Sequence, residues 1–132
     1  MTERILAAQK ALVTGASSGI GRAVALAMAR AGADVVVNYN THAAPAEALA
    51  AEIRTLGVRA IAIRADVADE TEVKAMFRRL LDEFGTIDIL VANSGLQRDA
   101  PVADMTLAQW NRVIAVNLTG QFLCAREAIA AF

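Results

Sequence analysis

Thr14-Gly15-Ala16-Ser17-Ser18-Gly19-Ile20-Gly21 decides the fold. It stands between an apolar run, Lys10 to Thr14, and a segment with helical periodicity. In that helix Ile20, Val24, Ala27 and Ala31 fall on one stripe, with Gly32 as the stop. A glycine-rich turn from strand to helix lets backbone N–H groups and the partial positive charge of the helix start face an anion. Gly15 permits the tight turn, Gly19 the approach to phosphate, and Gly21 close packing of the helix on the sheet. Ser17 and Ser18 add hydroxyl donors beside Ile20. The loop is therefore expected to hold a dinucleotide's diphosphate. No Lys-Ser or Lys-Thr pair follows the glycines, which excludes a P-loop.

Outward from the loop, strand and helix alternate. Val35-Val36-Val37 reads as a buried strand, and Pro45 fits the first turn of the next helix. Leu49, Ile53 and Leu56 form that helix's apolar face before Gly57. Ala60 to Ile63 predicts a third strand leading to Asp66-Val67. Asp69 and Glu72 then stand at capping-box spacing before Val73, Met76, Phe77, Leu80 and Phe84. Ile87 to Val91 predicts a fourth strand entering Asn93-Ser94-Gly95. Thr106 with Gln109 opens a long helix that runs nearly to Phe132. Crossovers of this length demand parallel strands with helices on both faces. The expected fold is α/β: a Rossmann-like, doubly wound parallel sheet in three layers with strand order 3-2-1-4, forming a single domain over 1–132. The first strand then lies beside the switch point where such sheets bind ligands.

Composition narrows the function. The 132 residues are 56% hydrophobic, 20% charged and only 5% aromatic, with net charge -1. That excludes a disordered chain and suits aliphatic strands buried on both faces. Without a basic cluster, nucleic acid is not an expected partner. A lone Cys124 excludes an intrachain disulfide. No stretch has transmembrane length or a signal-peptide pattern, so no membrane partner is expected and the cytoplasm is the expected location. No metal site is expected.

Three further positions carry chemistry. Asp66 follows a buried strand, where its carboxylate either meets an adenine amino group or caps a turn. Asn93 ends the fourth strand, beside the first, where position alone allows a turn residue. Asn117 shares a helical stripe with Trp110 and Ile114, and a buried amide there needs partners, in the core or at a catalytic site.

Thr-Gly-x-x-x-Gly-x-Gly, Asp66-Val67, Ala92-Asn93-Ser94-Gly95 and Val116-Asn117-Leu118-Thr119-Gly120 together resemble the short-chain dehydrogenase/reductase family, from about Lys10 onward. The run from Trp110 through Glu127 is similar to its bacterial glucose 1-dehydrogenase branch. The resemblance implies hydride transfer between NADP or NAD and an alcohol, sugar or ketone, with a small-molecule substrate and a homo-oligomeric assembly. It implies cofactor contacts at Gly15, Ser17, Ser18, Gly19, Ile20, Gly21, Tyr39, Asn40, Asp66, Val67, Asn93, Ser94 and Gly95. Asn117 belongs to the catalytic set, holding a water in a proton relay.

An acid at the end of the second strand would favour NAD. Tyr39 stands where NAD-preferring relatives carry Asp, and nothing there repels a phosphate. The arginine frequent in NADP-preferring relatives is replaced by Asn40. NADP is favoured, and NAD stays open. The family's chemistry also needs Tyr-x-x-x-Lys, yet Tyr39 is the chain's one tyrosine and Ala43 stands four residues on. The chain is thus expected to be the cofactor-binding part of such an enzyme, lacking the family's C-terminal catalytic part. The alternative is a catalytically silent nucleotide-binding or regulatory module. A methyltransferase-like domain is disfavoured by the joint presence of Asp66, Asn93 and Asn117.

Overall fold

Short aliphatic strands flanked by amphipathic helices assemble here into a four-stranded parallel sheet of order β3-β2-β1-β4. The structure, a computed structural model, describes residues 3–132. Its strands are β1 (Lys10–Val13), β2 (Asp34–Tyr39), β3 (Ala60–Arg64) and β4 (Ile89–Val91). Its helices are α1 (Gly19–Arg30), α2 (Ala43–Arg54), α3 (Glu70–Phe84), α4 (Leu107–Ile114) and α5 (Gly120–Ala131). In register, Ala11 lies opposite Val35 on one side and Ile89 on the other. The period of two in each strand sends Ala11, Val13, Val35 and Val37 to one face, where α1 and α2 cover them. Leu12, Val36 and Ile63 point the other way, onto α3 and α5. The result is three layers with a sheet buried on both faces.

Several local expectations need correction. The buried side of α1 is Gly21, Ala25, Leu26 and Ala29, not the stripe through Ile20, Val24, Ala27 and Ala31. The small residues let α1 lie close to the sheet, and Ile20 is left 77% exposed at the cleft described below. Leu56 lies beyond the end of α2 and is partly exposed. Ile87 is buried but outside the β4 ladder, because the Asp88 carboxylate accepts the Lys10 N–H at 2.8 Å in place of a backbone carbonyl.

The long C-terminal helix is not a uniform α-helix. A π-helical turn, Ala115–Thr119, separates α4 from α5. Thr106 and Gln109 close the full reciprocal cap of α4. The Asp69 carboxylate accepts from Glu72 N–H, but the Glu72 side chain turns instead to Arg64 and to the Asp66 N–H.

At the far end of the sheet from the cleft, Lys10 Nζ donates to Asp34 Oδ2 at 2.7 Å and the Arg59 N–H donates to Asp34 Oδ1 at 2.8 Å. Burial pushes the Asp34 carboxyl up, but the Lys10 hydrogen bond, the Arg59 N–H and both positive charges outweigh it and hold it below its ordinary value. A depressed acid contributes stability above its unfolded pKa, and that contribution is lost as pH falls through the folded value. Asp34→Asn is expected to lower stability at neutral pH by about 1–2 kcal/mol. It should also flatten the acid limb of a stability–pH curve measured by urea unfolding. An unchanged acid limb would refute this linkage.

Candidate cofactor cleft

The glycine loop, the ends of β2 and β3, and the segment after β4 enclose a cleft of about 620 Å³, within the range of small-molecule sites. Its floor is built by buried polar staples. Thr14, almost fully buried, accepts on Oγ1 from the N–H groups of Asn93 at 2.9 Å and Ser94 at 3.0 Å. The Asn93 amide donates back to the carbonyls of Thr14 at 3.1 Å and Gly15 at 3.2 Å. Asn38, 1% exposed, accepts from Gly15 N–H at 3.1 Å and donates to Ile63 and Ala65 carbonyls at 3.3 and 3.2 Å. The loop is thereby fixed to β2, β3 and β4 at once.

Against that floor the start of α1 opens into the cleft. Ser18 occupies the N-cap position, yet its hydroxyl makes no capping bond, and no acid stands in the first turn. Gly15, Ser17, Ser18 and Ile20 line this wall. Gly19, which is not among the cleft-lining residues, has φ +59, and beyond its chain neighbours and own helix nothing lies within 4 Å of where a Cβ would stand. Gly21 faces inward: a Cβ there would lie 2.4 Å from the Gly15 carbonyl and 2.5 Å from Asn93 Nδ2. Free N–H groups, an uncommitted hydroxyl and no competing carboxylate are what a diphosphate needs, so this chain's residues fit the group.

Across the cleft, Tyr39 and Asn40 line the β2 end, and Asp66 and Val67 the β3 end. Asn40 Oδ1 accepts from Arg64 Nη2 at 2.7 Å, and Arg64 is in turn paired with Glu72. Asp66 does cap a turn, accepting from Ala68 N–H at 3.0 Å, while its other oxygen accepts from Arg112 at 3.1 Å. Asn93, Ser94 and Gly95 complete the wall beyond β4, and Gln121 holds the Ser94 carbonyl at 2.9 Å.

Asn117 requires a correction: its side chain is not in the core but exposed, as is Trp110, because the stripe they share faces outward. From the π-helical turn Asn117 pins the loop after β4. Its Oδ1 accepts from Leu96 N–H at 2.8 Å and its Nδ2 donates to the Leu96 carbonyl at 2.9 Å. Cys124 is buried, and burial pushes its thiol up to about 11, which leaves it inert as a nucleophile at neutral pH. Among the described residues, no cluster of three or more His, Cys, Asp or Glu side chains could hold a metal.

Sequence reasoning missed Asn38, Thr14, Arg112 and Gln121. Asn38 did leave a signal, an amide at the end of Val35-Val36-Val37, and Thr14 lies inside the quoted loop. Arg112 and Gln121 left none, because their reach depends on how the C-terminal helix crosses the sheet.

The family model for short chain dehydrogenases matches residues 9–132. The chain is 50% identical over 121 residues to a 3-oxoacyl-[acyl-carrier-protein] reductase of Synechocystis sp., covering 92% of this chain and 49% of that protein. It is 43% identical over 127 residues to the hydroxynaphthalene reductase-like protein Arp2 of Metarhizium majus, covering 96% and 48%. Among solved structures, a short chain dehydrogenase from Burkholderia cenocepacia in complex with NADP superposes with a TM-score of 0.94 at 40% identity. That match covers 97% of this chain and 52% of the other. The chain thus spans about half the length of the relatives it matches. With the family model matching residues 9–132 and the strand order β3-β2-β1-β4, the chain belongs to the short chain dehydrogenase family.

Proposed function

We propose that this chain is the cofactor-binding part of an NADP-preferring oxidoreductase that interconverts a ketone and an alcohol. The observation that carries the reading is the convergence on one cleft of the bare α1 start, the free Ser18 hydroxyl and, opposite them, the Asp66 carboxylate. In this reading the first-turn N–H groups of α1 hold the diphosphate, Asp66 accepts from the adenine amino group, and Asn93 keeps the β4 end against the loop. Bound nicotinamide would supply or accept the hydride. Asn117 keeps one Nδ2 hydrogen and one Oδ1 lone pair beyond those used on Leu96, enough to hold a water beside the Leu96 segment.

NADP is supported by the β2 end, where Tyr39, Asn40, Thr41 and His42 line the cleft without an acid to repel a 2′-phosphate. The solved relative from Burkholderia cenocepacia is itself a complex with NADP. Relatives whose names state different substrates are matched by this chain over about half of their length. That favours a half that sets the cofactor while its counterpart sets the substrate. Glucose rests on the Trp110–Glu127 run alone and gains nothing from those names.

Titration with NADPH and NADH, followed by nucleotide fluorescence, is expected to show binding of both, with NADPH tighter. No binding of either at millimolar concentration would overturn the reading. The 132 residues alone are expected to give no turnover, because their one tyrosine, Tyr39, sits at the β2 end of the cleft. The same fact supports the second reading, a silent nucleotide-binding module, and turnover by the chain alone would remove both. We also propose that the chain self-associates. Trp110, Leu118, Phe122 and Ile129 are exposed along the C-terminal helix, and β4 is an edge strand. A sharp monomer in sedimentation velocity would refute that.

A further inference from the structure

We infer that Arg112, 46 residues away in sequence, is the positioning residue that sets Asp66 for recognition of the adenine base. The inference rests on the cofactor reading above and deepens it. Asp66 is 21% exposed and Arg112 38%, and both line the cleft. The two carboxylate oxygens of Asp66 have separate anchors: Oδ1 takes the Ala68 N–H at 3.0 Å and Oδ2 takes Arg112 Nη1 at 3.1 Å. Anchoring both oxygens removes rotation of the carboxylate plane. Each oxygen keeps a lone pair, so the group remains an acceptor of fixed orientation. With Arg112 removed, Oδ2 would be free to swing and to hydrate.

The path of the C-terminal helix makes this possible. Arg112 on α4 and Gly120 at the start of α5 both meet the Asp66-Val67 loop, for a Cβ on Gly120 would lie 2.7 Å from Val67 Cγ2. In an uninterrupted α-helix, residues eight apart point about 80° away from each other. The wider π-helical turn at Ala115–Thr119 takes back part of that rotation and brings both residues onto the same loop. The same turn presents Asn117 to Leu96, and Gln121 follows it to reach Ser94. One strut therefore braces the adenine side and the β4 side of the cleft together.

The reading separates cleanly from a surface ion pair that only steadies α4. An ionised carboxylate accepts the 6-amino group of adenine but opposes the 6-oxo group of hypoxanthine. The experiment measures dissociation constants of NADP and of its hypoxanthine analogue for the chain and for Arg112→Gln, Arg112→Lys and Asp66→Asn. The unaltered chain is expected to prefer adenine by about tenfold or more, since a site built to pair a polar group rejects the analogue that cannot pair. Arg112→Gln should bring the ratio to within about threefold, and Asp66→Asn should do the same. Arg112→Lys should restore part of it, because an ammonium supplies the charge without the planar fork. If Arg112→Gln weakens both dinucleotides alike and keeps the ratio, Arg112 is structural only and the inference fails. If the unaltered chain binds neither dinucleotide, the cofactor reading itself fails.

Discussion

Gly21→Val is expected to destabilise the chain by about 3 kcal/mol and to remove measurable dinucleotide binding. A Cβ at this position would stand 2.4 Å from the Gly15 carbonyl oxygen and 2.5 Å from Asn93 Nδ2, both inside van der Waals contact. Neither neighbour can yield alone. The Gly15 carbonyl accepts from Asn93, the Gly15 N–H is held by Asn38, and the Asn93 N–H is held by buried Thr14. The chain's recourse is to move α1 off the sheet, which opens the apolar contacts of Ala25, Leu26 and Ala29 and withdraws the N–H groups of the helix start from the cleft. Gly19→Ala is the contrasting substitution. It meets no atom within 4 Å, so its cost is the left-handed backbone alone, about 1 kcal/mol. Urea midpoints for the two variants, with NADPH titrations beside them, check the argument. If Gly21→Val unfolded no more easily than Gly19→Ala, close packing of α1 would not be what the third glycine secures.

The same contrast explains what was legible in the sequence. Strand order followed from alternation and handedness, which depend on residue type and spacing and not on exact contacts. The glycine loop was legible because its neighbours on both sides fixed its setting. The phase of α1 is not legible from the apolar stripe that begins at Ile20. The place of Ile20 at the helix start sends it to the cleft, and small residues that add little to an apolar stripe take the buried side. The π-helical turn at Ala115–Thr119 was invisible, since a phase shift confined to one turn does not stand out from ordinary irregularity in apolar spacing. Asn117 is found outside, holding Leu96, because the stripe it shares with exposed Trp110 faces away from the sheet. Arg112 and Gln121 stayed illegible for a related reason: a long polar side chain on a helix looks like a solvated one until the element it crosses is known.

Asn38→Leu is expected to cost about 3 kcal/mol and to weaken dinucleotide binding even though Asn38 would offer the cofactor little of its own. The substitution keeps a similar bulk at a site that is 1% exposed, so a cavity is not the cause. What it removes is an acceptor for Gly15 N–H and a donor shared by the Ile63 and Ala65 carbonyls. Each buried polar group left without a partner costs about 1–3 kcal/mol, and leucine can serve none of them. Asn38→Asp divides the two halves of the role. Aspartate preserves the acceptor for Gly15 but turns a second acceptor toward two carbonyls, so it is expected to be no better tolerated than leucine. Asn38→Ser is expected to be milder, because a small hydroxyl leaves room for a water to bridge the same groups. Thermal unfolding of the three variants gives the order serine, then leucine and aspartate. If leucine matched the unaltered chain, the staple would be dispensable. The position of the glycine loop would then depend on the backbone bond from the Ala16 N–H to the carbonyl of residue 38, and on Thr14 and Asn93 from the β4 side.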